Sequence, residues 1–168
     1  IDVQEKLFPH MSEKEQLEIN ILRLVSGLKT IGIPLLITEQ YTRGLGCTIL
    51  PLKHILEDTE NIEKLTFSCC DHPGFMDILN KTGRKYVIIC GIEAHVCVLQ
   101  TAIDLVKEGY QPVVVENCIS SRSPNDKKVA LDRMKQEGAI ISTLESILFE
   151  LTRSSGNEIF KTISKLIK

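Results

Sequence analysis

The sequence lacks several motifs that mark common functional classes. No CxxC pair occurs among its cysteines, so neither a zinc ribbon nor a thioredoxin-like dithiol is indicated. Neither GxGxxG nor GxxxxGK[ST] occurs, so the sequence gives no support to binding of a dinucleotide or a nucleotide. No apolar run reaches the roughly 18 residues of a membrane-spanning helix, and no signal peptide is recognisable. These absences leave a globular protein that acts on small molecules as the default expectation.

Neither sign of charge is in excess. Twenty basic and 22 acidic residues give a net charge of −2, which offers no basic footprint for nucleic acid and no polybasic patch for a membrane. We therefore expect a small-molecule substrate, and neither nucleic acid nor a membrane as a partner. The six cysteines favour a reducing, cytoplasmic setting, because a chain of 168 residues that is 43% hydrophobic can form its core without disulfides.

The length predicts one domain, residues 1–168, since no linker-like stretch divides the chain. The sequence opens on Ile1 rather than on Met. We therefore expect the first strand to be truncated at its N-terminus, and any targeting signal to be missing with it.

A recurring junction indicates the fold class. At each one a helical pattern ends in glycine, which suits the left-handed position after a helix, and a β-branched apolar run follows. The four junctions are Gly32 before 33–38, Gly83 before 86–90, Gly109 before 112–115 and Gly138 before 139–142. Continuous apolar strands are typical of parallel sheets covered on both faces. The sequence thus predicts a three-layer α/β/α protein with a mostly parallel, Rossmann-like open sheet.

Helix signals agree with this alternation. Ser12-Glu13-Lys14-Glu15 has the form of a capping box, and Ser123-Pro124 offers an N-cap followed by proline. After the first signal, apolar residues at three- and four-residue steps predict a buried stripe: Leu17, Ile21, Leu24, Val25 and Leu28. Further helices are predicted near 71–82, 95–108, 124–137 and 143–152, with an amphipathic docking helix in the tail at 157–168.

The stretch 39–70 is the exception, because its apolar periodicity is weak. We predict a long irregular excursion that leaves from the carboxyl end of a strand, the edge at which open parallel sheets bind ligands. This excursion is expected to wall a pocket.

Cys97 is the first candidate for chemistry. It follows the predicted strand 86–90 and lies at the start of the next helix, where unpaired amides and the helix dipole stabilise a thiolate and lower the thiol pKa. A buried, inert cysteine is the alternative. His95 cannot act as its base if the helix has begun there, since residues two apart point to different sides.

Asp2 and Lys64 are ambiguous when taken alone. Asp2 follows what looks like the end of a first strand and is either a catalytic base or a cap for the next turn. Lys64 taken alone would be a solvated surface residue, because lysine side chains are mostly exposed. Cys69, Cys70 and His72 cluster without the spacing of tetrahedral metal ligands, so packing is favoured over a metal site.

Three separated segments match one family together: residues 1–4 (IDVQ), Lys64 followed closely by Phe67-Ser68, and residues 91–98 (GIEAHVCV). In this order they resemble the isochorismatase-like cysteine hydrolases. Residues 38–46 (TEQYTRGLG) and 118–123 (CISSRS) are similar, more narrowly, to the isochorismatase domain-containing proteins of unassigned substrate.

The resemblance implies a catalytic triad of Asp2, Lys64 and Cys97. Asp2 would take the thiol proton, Lys64 would stabilise charge, and Cys97 would attack an amide or carbamoyl carbonyl to form a thioester that water resolves. The oxyanion donors would be the backbone N–H groups of Glu93 and Cys97, with a cis peptide bond between Ile92 and Glu93.

This sequence differs from some members of the family at motif positions, and these differences limit what the resemblance implies. Metal-dependent nicotinamidases of the family carry Asp-x-His where this chain has Gln40-Tyr41-Thr42, so we predict neither a metal nor a cofactor. By analogy, Phe8, Gln40, Tyr41 and Phe67 would line the substrate pocket, and the protein would form a homo-oligomer.

Two other functions stay open at this stage. One is a catalytically idle oligomeric scaffold that keeps the fold. The other is a redox-active thiol protein in which Cys90 or Cys118 resolves Cys97.

Overall fold

The computed structural model, which describes residues 1–168, has five strands in two hydrogen-bonded groups. β1 (Leu36–Gln40) pairs with β2 (Glu60–Lys64), while β3 (Tyr86–Ile92), β4 (Gln111–Ser120) and β5 (Ile140–Ser142) form a second group in the order β3-β4-β5. All pairings within the two groups are parallel. Helices connect and flank the strands, so the predicted α/β class with a mostly parallel sheet is confirmed.

Six of the eight helices fall close to the predicted positions, and the two short ones within residues 39–70 were not predicted. The eight helices are α1 (Lys14–Ile31), α2 (Thr42–Leu45), α3 (Leu50–Ile55), α4 (Pro73–Lys81), α5 (Leu99–Lys107), α6 (Pro124–Gln136), α7 (Leu144–Thr152) and α8 (Phe160–Ile167). None of them is both long and apolar enough to cross a membrane. A short 3-10 turn (Phe8–His10) precedes α1, and a five-residue π-helical turn (Ala94–Val98) precedes α5.

Two cores lie on opposite faces of the sheet. Successive residues of a strand point to opposite faces, and β4 shows this directly. Val113 and Val115 join the core that contains the buried stripe of α1 together with residues of α7 and α8, whereas Val114 joins the core formed with α4, α5 and α6. The predicted stripe of α1 is buried as expected.

The N-terminal residues lie between the two groups of strands. The Ile1 ammonium donates to the Cys90 carbonyl at 2.9 Å, the Ile92 N–H donates to the Ile1 carbonyl at 3.0 Å, and the Asp2 N–H donates to the Thr38 carbonyl at 3.0 Å. Gly91 makes this approach possible, because a Cβ at that position would lie 2.0 Å from the Ile1 carbonyl oxygen. Asp2 therefore reaches the carboxyl ends of β1 and β3.

An apolar cavity of about 260 Å³ extends from Ile1 and Asp2 between β1 and β3. It reaches Thr38 but touches neither Lys64 nor Cys97. We therefore assign it to the interior of the sheet rather than to a substrate site.

The predicted capping box at residues 12–15 is wrong. Glu13, in a left-handed conformation with φ 52°, occupies the N-cap of α1, and no side chain caps the helix. Ser12 instead bonds to the end of β4: its N–H donates to the Ser121 carbonyl, and its own carbonyl accepts from the Ser120 hydroxyl. These tertiary bonds outweigh the local capping preference. The Ser123-Pro124 start of α6 is confirmed.

The prediction of a long irregular excursion is also wrong, because residues 39–70 contain α2, α3 and β2. β2 lies at an edge of the sheet, and only Ile62 and Lys64 among its five residues are buried. An edge strand with so few inward side chains carries little apolar signal. Its register pairs Gln40 with Lys64, so Lys64 ends a strand at the same edge as the end of β1.

Candidate active site

A buried ion pair forms the centre of the site. Lys64 Nζ lies 2.6 Å from Asp2 Oδ2, and both side chains are 0% exposed. Unpaired charges are costly to bury, so two buried charges persist where each partner satisfies the other. The two residues are far apart in sequence and meet only because Asp2 lies between β1 and β3 while Lys64 ends β2.

All the hydrogen-bonding capacity of Lys64 is used inside the protein. Besides Asp2, its ammonium contacts Gln40 Oε1 at 2.8 Å and the carbonyl oxygens of Thr66 and Phe67 at 3.1 and 3.2 Å. An ammonium has three N–H donors, and four acceptors surround this one. Lys64 is thus a fixed positive charge beside Asp2, with no free N–H for a substrate.

The second carboxylate oxygen of Asp2 is also bound. Thr38 donates its hydroxyl to Asp2 Oδ1 at 2.8 Å. The charges of Asp2 and Lys64 both act on the Cys97 thiol, so the three residues lie close to one another. The structure brings the three residues together as the resemblance implied, and their catalytic roles stay a prediction.

Cys97 lies in the π-helical turn before α5 rather than in a regular first turn of an α-helix. Burial raises the pKa of its thiol to about 12; the negative charge of Asp2 adds to the increase and Lys64 opposes it. The expected lowering of the pKa by the helix start is therefore wrong, because desolvation disfavours the thiolate. The resting sulfur is a thiol next to a carboxylate, which requires proton transfer when the sulfur attacks.

Glu93 provides the second predicted oxyanion donor. The peptide bond between Ile92 and Glu93 is cis, and the Glu93 N–H donates to no acceptor within the protein. Its side chain is held from outside by Arg122, whose Nε lies 3.1 Å from Glu93 Oε2. The backbone next to Cys97 thus keeps a free donor for a developing oxyanion.

The four predicted pocket residues lie in different surroundings. Tyr41 and Phe67 are 47% and 54% exposed, and Leu65, between Lys64 and Phe67, is also exposed. Gln40 uses its side chain on Lys64 and on the Leu65 carbonyl, at 2.8 Å each. Phe8 is 7% exposed and packs in the core with the α1 stripe. The structure therefore gives Gln40 and Phe8 internal contacts, while Tyr41 and Phe67 stay candidates for contact with substrate.

Tyr41 is held in place although it is exposed. A Cβ on Gly44 would lie 2.2 Å from the Tyr41 ring, so the ring packs directly on the backbone of α2. The Tyr41 N–H donates to the Lys64 carbonyl at 3.0 Å. Its ring is consequently fixed close to the end of β2.

Other cysteines and histidines near the site have structural partners. Cys69, rather than Cys90 or Cys118, is the cysteine whose charge affects the Cys97 thiol, and all six cysteines are free. His95 Nδ1 lies 2.9 Å from the Ser121 hydroxyl, in line with its exclusion as the base for Cys97. No group of three or more His, Cys, Asp or Glu side chains is arranged to hold a metal ion.

Sequence reasoning missed two residues of the site, Thr38 and Gln4. Gln4 is fully buried and brackets the Gln40 backbone: its Oε1 accepts from the Gln40 N–H at 2.7 Å, and its Nε2 donates to the Gln40 carbonyl at 2.9 Å. The available signal was the polar run Thr38-Glu39-Gln40 after an apolar strand, since polar residues at the carboxyl ends of parallel strands face the binding edge.

Two curated relatives match most of the length of the chain. The chain is 40% identical over 149 residues to the secreted isochorismatase effector Isc1 of Phytophthora sojae. This match covers 86% of this chain and 71% of that protein. The chain is 37% identical over 168 residues to isochorismatase domain-containing protein 2A of Mus musculus, which covers 99% and 80%. Since Isc1 is named as secreted, the cytoplasmic location of this chain stays a prediction.

Two solved structures have nearly the same fold. The MAR1 ribonuclease of Caenorhabditis elegans matches with a TM-score of 0.93 and 40% identity, covering 99% of this chain and 85% of that one. The YcaC protein of Escherichia coli, described as an octameric hydrolase of unknown specificity, matches with a TM-score of 0.93 and 27% identity, covering 99% and 83%.

A family model settles the relationship that the motifs indicated. The isochorismatase domain model matches residues 1–146, which include Asp2, Lys64 and Cys97. The resemblance to the isochorismatase domain-containing proteins is likewise confirmed by relatives of that name. The chain therefore belongs to the isochorismatase family.

Proposed function

We propose that the protein is a cysteine hydrolase that cleaves a small amide or carbamoyl compound through a thioester on Cys97. The observation that carries the proposal is the buried Asp2–Lys64 ion pair placed beside the Cys97 thiol. A nucleophile, a base within reach and a third group that orients the base make up the usual arrangement for covalent catalysis.

The acylation step follows from the protonation state of the site. The raised pKa of Cys97 keeps the sulfur protonated near neutral pH, so Asp2 takes the thiol proton as Cys97 Sγ bonds to the substrate carbonyl carbon. The carbonyl oxygen becomes an oxyanion that accepts hydrogen bonds from the backbone N–H groups of Glu93 and Cys97. The C–N bond then breaks, and the leaving amine takes the proton from Asp2. A thioester on Cys97 remains.

Deacylation reverses these roles. Asp2 takes a proton from a water molecule as the water oxygen attacks the thioester carbonyl. The proton returns to the sulfur as the C–S bond breaks. The products are a free acid and the original thiol. Lys64 stays positively charged throughout and stabilises the Asp2 carboxylate, because its N–H groups are bound within the protein.

RNA hydrolysis is the rival activity, because the C. elegans neighbour is described as a ribonuclease. The site of this chain favours the amide reaction. Its buried cation, Lys64, is saturated by protein acceptors and cannot contact a phosphate, and the chain has a net charge of −2.

The other two alternatives have weaker support. A redox role would need a resolving thiol, and Cys90 and Cys118, which were the candidates, do not act on Cys97. Cys69 does, but it is a buried thiol that donates its proton to Thr38. A homo-oligomer fits the octameric E. coli neighbour and is compatible with catalysis, so we propose it together with the hydrolase activity rather than as an idle scaffold.

Intact-mass spectrometry tests the proposed function. Purified protein is quenched in acid after incubation with a panel of small amides, ureas and carbamates. At least one compound is expected to add the mass of its acyl group, and peptide mapping is expected to place that mass on Cys97. The adduct is expected to decay in buffer as the free acid forms.

Cys97→Ser and Cys69→Ser are matched controls, since both replace a buried cysteine near Asp2. Only Cys97→Ser is expected to abolish the adduct. A parallel incubation with single-stranded RNA is expected to leave the RNA intact. Cleavage of RNA that persists in Cys97→Ser, with no adduct from any compound, would refute the proposal.

A further inference from the structure

Thr38 lies on β1 at the point where the strand passes Asp2. Its side chain is buried, and its hydroxyl touches Asp2 on one side and Cys69 on the other. Its backbone carbonyl accepts the Asp2 N–H, so main chain and side chain of one residue both hold Asp2.

The direction of the Thr38 hydroxyl is fixed by its two neighbours. A hydroxyl has one proton to donate. The Cys69 thiol, whose pKa is raised by burial, keeps its proton and donates to Thr38 Oγ1 at an S···O distance of 3.8 Å. The Thr38 proton is therefore directed at Asp2 Oδ1, 2.8 Å away.

This bond decides which way the carboxylate faces. Lys64 binds Oδ2 and Thr38 binds Oδ1, so the carboxylate plane is pinned from two sides. The Cys97 thiol, on which the Asp2 charge acts, therefore has beside it a carboxylate whose orientation is fixed.

We propose that Thr38 is a positioning residue of the site, which fixes the orientation of the Asp2 carboxylate beside Cys97. The inference rests on the proposed role of Asp2 as the base. Thr38 acts through Asp2 and touches neither the nucleophile nor the substrate.

The test is the rate of Cys97 alkylation by iodoacetamide at neutral pH in Thr38→Val, which keeps the shape of the side chain and removes the hydroxyl. The sulfur reacts as its proton passes to Asp2, so the rate depends on how the carboxylate faces the thiol. Loss of the Thr38 hydrogen bond is expected to lower the rate by a factor of about 2 to 10, the size of one hydrogen bond.

Thr48→Val is the matched control. Thr48 is also buried, and its hydroxyl donates to another buried carboxylate, Glu39 Oε1, at 2.7 Å. This carboxylate belongs to β1 but takes no part in the Asp2–Lys64 pair. Thr48→Val is expected to lower stability to a similar degree and to leave the alkylation rate at the wild-type value, and Thr38→Ser is expected to restore that rate.

The outcomes separate the inference from the function on which it rests. If Asp2→Asn does not lower the alkylation rate, the proposed role of Asp2 fails. If Asp2→Asn lowers the rate and Thr38→Val does not, Thr38 is merely structural and the inference is overturned. Thr38→Ala, which cannot clash, decides in the same way if Thr38→Val does not fold.

Discussion

Lys64→Met is expected to lower the free energy of unfolding by about 3 to 5 kcal/mol, the usual cost of removing one partner of a buried ion pair. Methionine fills much of the same space, so the loss measures charge rather than volume. The Asp2 carboxylate would stay at 0% exposure with Thr38 as its remaining strong donor. Urea unfolding followed by circular dichroism measures the change.

A double substitution isolates the electrostatic part. Asp2→Asn combined with Lys64→Met removes both charges, and it is expected to recover most of the lost stability, because uncharged replacement of a buried pair is often near neutral. Lys107→Met is the surface control, since Lys107 pairs with Asp104 at 2.9 Å but is largely exposed. It is expected to leave the free energy of unfolding nearly unchanged. A Lys64→Met variant as stable as Lys107→Met would contradict the buried pair.

Asp2→Asn has the second large expected effect. Turnover of any substrate found by adduct formation is expected to fall by a factor of about 100 to 10,000, the contribution of a positioned base.

Asparagine suits this position because residue 2 has a φ of 51°, a conformation that asparagine tolerates. A misfolded variant is therefore not expected, and unchanged near-ultraviolet circular dichroism is the control. If turnover persists in Asp2→Asn, Asp2 is not the base. If turnover falls and the near-ultraviolet circular dichroism changes as well, the substitution has disrupted the site rather than removed a proton acceptor.

The sequence predicted most of the fold because most elements carry a strong local pattern. The α1 stripe, the glycine-ended helices and the apolar strands β3 and β4 each bury a regular set of side chains. The sequence did not predict β2, because this edge strand buries only Ile62 and Lys64 and so lacks a regular set of buried side chains. Lys64 illustrates the limit: its sequence neighbours suggest a surface lysine, and only the parallel pairing with β1 buries it.

The site was predictable in its residues but not in its electrostatics. The family motifs indicated Asp2, Lys64 and Cys97, whereas the role of Thr38 depends on a contact across 36 positions. The pKa of Cys97 was predicted with the wrong sign, because burial of the π-helical turn cannot be read from its sequence. Position relative to a helix favours a thiolate, and desolvation outweighs it.

Competitive alkylation of the wild-type cysteines tests the central claim, that Cys97 is the activated nucleophile, most directly. Burial raises the pKa of Cys90, Cys97 and Cys118, so burial alone predicts slow labelling of all three. Of these three, only Cys97 lies beside the fully buried Asp2–Lys64 pair, whereas the ion pair that acts on Cys118, Glu116 with Lys127, is partly exposed. With limiting iodoacetamide at neutral pH, peptide mapping is expected to show Cys97 modified at least about tenfold faster than Cys90 or Cys118. Equal or slower labelling of Cys97 would contradict the account.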